Sequence, residues 1–157
     1  MTTTTVIIFV LDDQRYALSI HCVETILRAA ALARPFEAPD LLFGILNLGG
    51  TFIPVINIRK QFGLPGKELQ LSDRIIIART SRYIVGFVAD AVEDVAEIAG
   101  EPLNASVDIF PEMEKFLAGI SKFNGHTVLI YDIDTLFPEQ RIKPLADALP
   151  QPTEGTL

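Results

Sequence analysis

Four groups of residues have types and spacing that invite a chemical reading. Gly44-x-x-x-x-Gly49-Gly50-Thr51 is one residue away from a phosphate-binding loop. Such a loop needs a lysine where Gly50 stands and a helix where a proline-bearing strand follows, so the stretch reads as a hairpin turn. His21 beside Cys22 suggests a base and a nucleophile, yet adjacent strand residues point to opposite faces. Asp90, Glu93, Asp94 and Glu97 form an acidic cluster. A hard cation would need a calcium-loop spacing with its glycine, which the cluster lacks, and a solvated face fits it better. His126 has no second histidine nearby to share a metal. No catalytic constellation, metal site or cofactor is expected.

The elements that position these residues are legible as repeats. Gly44 to Ile58 reads as two apolar strands around a glycine turn, and Gly119 to Ile133 repeats it. A shift of 75 positions superposes Gly44 on Gly119, Gly50 on Gly125, Val55 on Ile130, Ile58 on Ile133 and Phe62 on Phe137. Gly49-Gly50 and Asn124-Gly125 both accept positive φ at two successive residues, the requirement of a type I′ hairpin. A second echo, at a spacing of 67, matches Ile7–Leu11 and Tyr16–Ile20 with Ile75–Ala78 and Tyr83–Phe87. Val23-Glu24 and Val92-Glu93 follow the two copies in turn. One unit used twice predicts halves at about 6–66 and 72–138, packed on each other because either alone would be marginal.

The chain of 157 residues is 49% hydrophobic, with leucine, isoleucine and valine in short runs that do not form helical stripes. Val6–Leu11 is too short to span a bilayer and no basic leader precedes it, so neither membrane insertion nor a signal peptide is expected. A net charge of −7 disfavours nucleic acid and anionic membrane as partners. The single cysteine, Cys22, excludes an internal disulfide and fits a reducing, cytoplasmic compartment.

In order, Val6–Leu11 and Tyr16–Ile20 read as strands, and Cys22, Val23, Ile26 and Leu27 as one helical turn before another strand. Arg34-Pro35 and Ala38-Pro39 mark a loop. Pro54 implies an edge or a bulge, and Ile58–Phe62 a helical turn. Arg74–Arg79, Tyr83–Ala89 and a run through Val92, Val95 and Ile98 continue the strand pattern, and 102–111 is irregular. Residues 139–157 read as a tail, with a short helix over Ile142–Leu149 and a disordered end. About ten strands in two sets of five predict a mainly all-β chain: two five-stranded SH3-like antiparallel barrels around a shared core, with few short helices. Strands such as Val6–Leu11 and Ile75–Ala78 are apolar on both sides. Either the core between the barrels absorbs that surface or part of it lines a groove for a partner.

The Tyr-x-Leu-x-Ile opening, Val23-Glu24, Gly44-Ile45-Leu46-Asn47-Leu48-x-Gly50, Ile53-Pro54-Val55-Ile56-Asn57-Ile58-Arg59 and Gly86-Phe87-Val88-x-Asp90-x-Val92 together resemble a CheW-like domain over roughly Val6–Phe137. The resemblance implies a non-catalytic cytoplasmic adaptor coupling the tips of chemoreceptors to the regulatory domain of a CheA-type histidine kinase. It implies that Val23, Gly44, Val92 and Val95 line the receptor groove, and that Ile7 and Ile20 lie on the surface meeting the kinase. Thr25 and Gly49 depart from the pattern, standing where an acidic residue and an arginine are usual, which implies a changed partner interface. The alternatives are an adaptor of a non-chemotactic pathway, such as pilus motility or development, and a small-ligand-binding or enzymatic β-barrel.

Overall fold

The structure, a computed structural model, describes residues 4–34, 38–98 and 117–149. Among these residues are ten strands: β1 Thr4–Leu11, β2 Gln14–Ser19, β3 Val23–Arg28, β4 Leu42–Leu48, β5 Thr51–Ile56, β6 Arg74–Arg79, β7 Ile84–Ala89, β8 Ala91–Ile98, β9 Leu117–Phe123 and β10 His126–Tyr131. Among the described residues three short helices accompany them, α1 Ile58–Gln61, α2 Ile133–Leu136 and α3 Glu139–Asp147, with a 3-10 turn at Ile20–Cys22. The expected irregular stretch 102–111 and the C-terminal end beyond Leu149 lie outside the described residues.

The strands form two sheets of five, ordered β8-β1-β2-β10-β9 and β3-β6-β7-β5-β4. These are curled sheets, not closed barrels; in the second, the chain leaving β3 bridges β4 at Ala33 and Ile45. The sheets correspond strand for strand under the repeat, and each takes its central hairpin from one copy and its other three strands from the other copy. Thus β1 and β2 sit among β8, β9 and β10, while β6 and β7 sit among β3, β4 and β5. Parallel pairings, β2 with β10 and β7 with β5, join the exchanged hairpins to their hosts.

This arrangement explains the uniformly apolar strands. Alternate residues of β1 face different cores: Phe9 and Leu11 enter the large core between the sheets, while Val6 and Ile8 enter a small core of the first sheet. In β6, Ile76 and Ala78 join the large core, while Ile75 and Ile77 join that of the second sheet. Both strands are therefore absorbed by packing and line no groove. An aromatic cluster of Phe9, Tyr16, Phe62, Phe87, Tyr131 and Phe137 fills the middle, with neighbouring ring centroids 5.1–5.9 Å apart. The segment read as a tail contributes as well, since α3 buries Ile142 and Leu145 in this core.

The hairpin turns follow the expected chemistry: φ is +60° and +93° at Gly49 and Gly50, and +51° and +81° at Asn124 and Gly125. Asp12 and Asp13 make a third such turn at +48° and +67°. At Pro54 the expectation also fits, because β7 pairs with β5 only from Val55 onward, leaving the proline free on that side. One reading is corrected. The helical turn lies at Ile20–Cys22, and Val23–Arg28 is a strand paired with β6. A register shift between Val23 and Thr25 breaks its alternation, which gives the apolar residues a helix-like spacing.

Candidate functional site

Each helix that follows a copy's last hairpin meets the turn of the other sheet's central hairpin, which makes two equivalent corners. Asn57 caps α1 by accepting from the Lys60 N–H at 3.2 Å, and Asp132 caps α2 by accepting from the Thr135 N–H at 3.2 Å. Two residues on, Arg59 and Asp134 occupy matching places 75 positions apart and grip different turns.

At the first corner Arg59 is 8% exposed, and its Nη2 lies 2.7 Å from Asp12 and 2.9 Å from Asp90. The Asp12 N–H donates to Asp90 at 2.9 Å, and Lys67 bridges Asp90 at 3.0 Å and buried Asp73 at 3.2 Å. Three acids and two bases thus tie the β1–β2 turn, α1 and the β7–β8 connection together. Burial works to raise the Asp90 carboxyl, but the Asp12 N–H, Arg59 and Lys67 outweigh it and hold Asp90 below its usual range. Burial likewise raises the nearby Tyr16 phenol to about 12. Only about 20 Å³ of free space remains there.

At the second corner Asp134 accepts from the Ser81 N–H at 2.6 Å and the Ser81 hydroxyl at 2.8 Å. His21, Cys22 and Arg79 complete the walls of an open cleft of about 310 Å³. Burial pushes the Cys22 thiol up to about 11 and its Sγ donates to the Ser19 carbonyl at 3.1 Å, so it is no nucleophile at neutral pH.

The acidic cluster does not act as a unit. Asp90 belongs to the first corner, whereas Glu93 takes a bidentate grip from Arg15, at 2.7 Å and 3.0 Å. Among the described residues no group of three or more histidine, cysteine or acidic side chains is placed to hold a metal. The corner was missed by sequence reasoning because its members span Asp12 to Asp90. Its signal was the charge of Arg59 and of Asp90, each set directly against an apolar run.

Of the apolar candidate residues, Val23, Val92 and Val95 lie on outer strands of the two sheets. Val23 opens β3 and Val92 lies near the start of β8, at repeat-equivalent places on the outer strands of the two sheets, both half-buried against the shared core. Val92 faces Phe9 and Val95 faces Ile7 across the β1–β8 ladder, on one side of the sheet because a register shift between them restores the phase. Val95 is 51% exposed and Ile7 only 4%, so the surface at that pair is that of Val95. Ile20 is half-buried in the 3-10 turn. Thr25 is half-buried opposite Ile77, and Gly49 is exposed at a hairpin tip. Gly44 is buried on β4, and a Cβ there would lie 2.8 Å from the Leu32 Cβ, so it packs under Leu32.

This architecture has known relatives. The CheW-like domain profile matches residues 5–141. The chemotaxis protein CheW of Rhizobium meliloti (strain 1021) is 27% identical over 136 residues, covering 85% of this chain and 87% of that protein. That of Thermotoga maritima is 28% identical over 138 residues, covering 88% and 90%. The crystal structure of the scaffolding protein TtCheW from Thermoanaerobacter tengcongensis superposes with a TM-score of 0.72 at 27% identity, covering 89% of this chain and 96% of that one. Among the described residues no helix is long and apolar enough to cross a membrane. With two sheets related by an internal repeat and a profile match over most of its length, the chain belongs to the CheW-like domain family.

Proposed function

We propose that the chain is a non-catalytic cytoplasmic adaptor that couples chemoreceptor tips to the regulatory domain of a CheA-type histidine kinase. Its family supports this reading, and the observation that carries it is Val95, a large apolar side chain exposed on an edge strand beside half-buried Val92. An apolar side chain in that setting gains by being covered by a partner helix. The receptor surface comprises Val23, Val92 and Val95. Ile7 and Ile20 belong to the kinase surface, with Ile7, nearly covered, beside Val95 across the β1–β8 ladder.

The test is binding of purified receptor tip and of kinase regulatory domain to the wild type and to Val95→Asp. Because Val95 is exposed, the variant should fold normally and lose receptor affinity by about tenfold or more. Unchanged affinity for both partners would overturn the reading. Gly44→Asp is unsuitable as a probe, since the contact with Leu32 makes it a folding mutation. The departures at Thr25 and Gly49 belong to the same proposal: they retune partner choice, because rim charges set specificity more than affinity. A double-mutant cycle of Thr25→Glu and Gly49→Arg on receptor binding should show coupling, and strictly additive effects would separate the two positions.

A further inference from the structure

The two corners are built alike but filled differently. Beyond α1 the chain turns at Gly63 (φ +73°) and folds back over the first corner. The Leu64 N–H donates to the Arg59 carbonyl at 2.8 Å, Arg59 Nη1 donates to the Pro65 carbonyl at 3.1 Å, and Lys67 reaches Asp90 and Asp73. Leu64 packs on the shared core, and Lys67 and Leu69 line what little space is left. A segment with a lysine between two leucines thus fills this shape.

Beyond α2 the chain does something else. Pro138 leads into α3, whose Glu139 lies 3.5 Å from Arg82, and among the described residues the segment does not return over its own corner. The cleft of about 310 Å³ is what remains, at the lower end of ligand-sized sites. Its floor has changed sign as well: Asp132 replaces Asn57 and Asp134 replaces Arg59. Ser81 holds the Asp134 carboxylate from both its N–H and its hydroxyl. Arg79 on the wall is already engaged by Glu24 at 2.5 Å, so it does not neutralise the floor.

We propose that this second corner is a docking cleft for a lysine- or arginine-bearing segment of a partner protein, which fills it in trans as Leu64–Leu69 fills the first corner in cis. The basic side chain pairs with Asp132 and Asp134, and the flanking apolar residues cover the cleft walls. The cleft wall at His21 and Cys22 flanks Ile20 and Val23, so this partner would dock beside the proposed receptor and kinase surfaces, while Val95 on β8 is no part of the cleft.

The probe is a synthetic peptide with the chain's own sequence from Leu64 to Leu71, titrated into the full isotope-labelled chain and followed by backbone amide shifts. Shifts should concentrate at His21, Arg79 and Ser81 and leave Val95 unmoved. A peptide with glutamate in place of the lysine should bind about tenfold more weakly or worse, and Asp132→Asn should weaken the original peptide similarly. That variant keeps its helix cap, as Asn57 does for α1. No shifts at millimolar peptide, shifts centred elsewhere, or affinity indifferent to both charge changes would overturn the proposal. A concentration-dependent dimer abolished by Asp132→Asn would also overturn it, by making the occupant a second copy of this chain. Because Val95→Asp leaves this cleft intact, failure here is distinguishable from failure of the receptor surface.

Discussion

The first corner, at Arg59, and the second, at Asp134, descend from one repeated element and now do opposite things. In the first, five charges and a returning segment close the space and join the two sheets. In the second, one carboxylate holds one serine and the space stays open. The first corner supplies a charged clasp between the exchanged hairpins, and the second leaves its cleft open. If the second corner docks a partner as proposed, the difference divides stability from recognition along the repeat.

The comparison breaks most readily at its charged clasp. Arg59→Ala removes the cation that Asp12 and Asp90 share, leaving partly buried carboxylates without it, and should cost about 3 kcal/mol. Asp134→Ala at the matching position removes two exposed hydrogen bonds and should cost about 1 kcal/mol. Urea denaturation of both variants measures the contrast. Equal costs would mean that the corners contribute alike and that the division is false.

Acid sharpens the same contrast. The Asp90 carboxyl lies below its ordinary value of 3.8 in the folded chain. A group depressed in this way adds stability that is fully present above the ordinary value and is lost as pH falls through the folded one. Asp90→Asn should cost about 2 kcal/mol at neutral pH, discounted for its partial exposure, and the gap from wild type should close as pH drops below 3.8. Denaturation curves at several pH values follow this. A gap that stays constant into acid would show that the Asp90 charge is not what holds the clasp.

How much of this was legible in the sequence depended on how local the signal was. Hairpins, the repeat and the strand count rest on adjacent residues, such as Gly49-Gly50 and Asn124-Gly125, whose turn chemistry needs no tertiary context. The exchange of β1–β2 and β6–β7 between sheets was not legible, because a repeat identifies units without saying which copy each one joins. Asp90 was read with its neighbours Glu93, Asp94 and Glu97, although its partners Asp12 and Arg59 are 78 and 31 positions away. Val23–Leu27 was misread as a turn because a register shift imitates helical spacing. For the site, Val23, Val92 and Val95 emerged at sheet edges, but sequence gave no sign that Gly44 packs beneath Leu32 or that Ile7 is covered.

The smallest expected effect concerns the twin hairpins. Gly49 and Asn124 hold the same turn position at φ of +60° and +51°, and a Cβ at Gly49 would meet nothing within 4 Å. Space is thus free at Gly49 and only the backbone conformation restricts it. Asparagine tolerates that region and arginine does not, so Gly49→Asn should change stability by less than about 0.5 kcal/mol while Gly49→Arg costs about 1 kcal/mol. Thermal unfolding of the two variants separates them. The result also bears on the interface, because an arginine at this tip would be kept only where a partner or an acidic neighbour offsets its strain. With Thr25 in place of an acidic residue, glycine is the relaxed choice, and Thr25→Glu should recover part of the Gly49→Arg loss if the two side chains meet. Equal stabilities of Gly49→Asn and Gly49→Arg would show that the turn does not discriminate, and the paired departure would then need an explanation in binding alone.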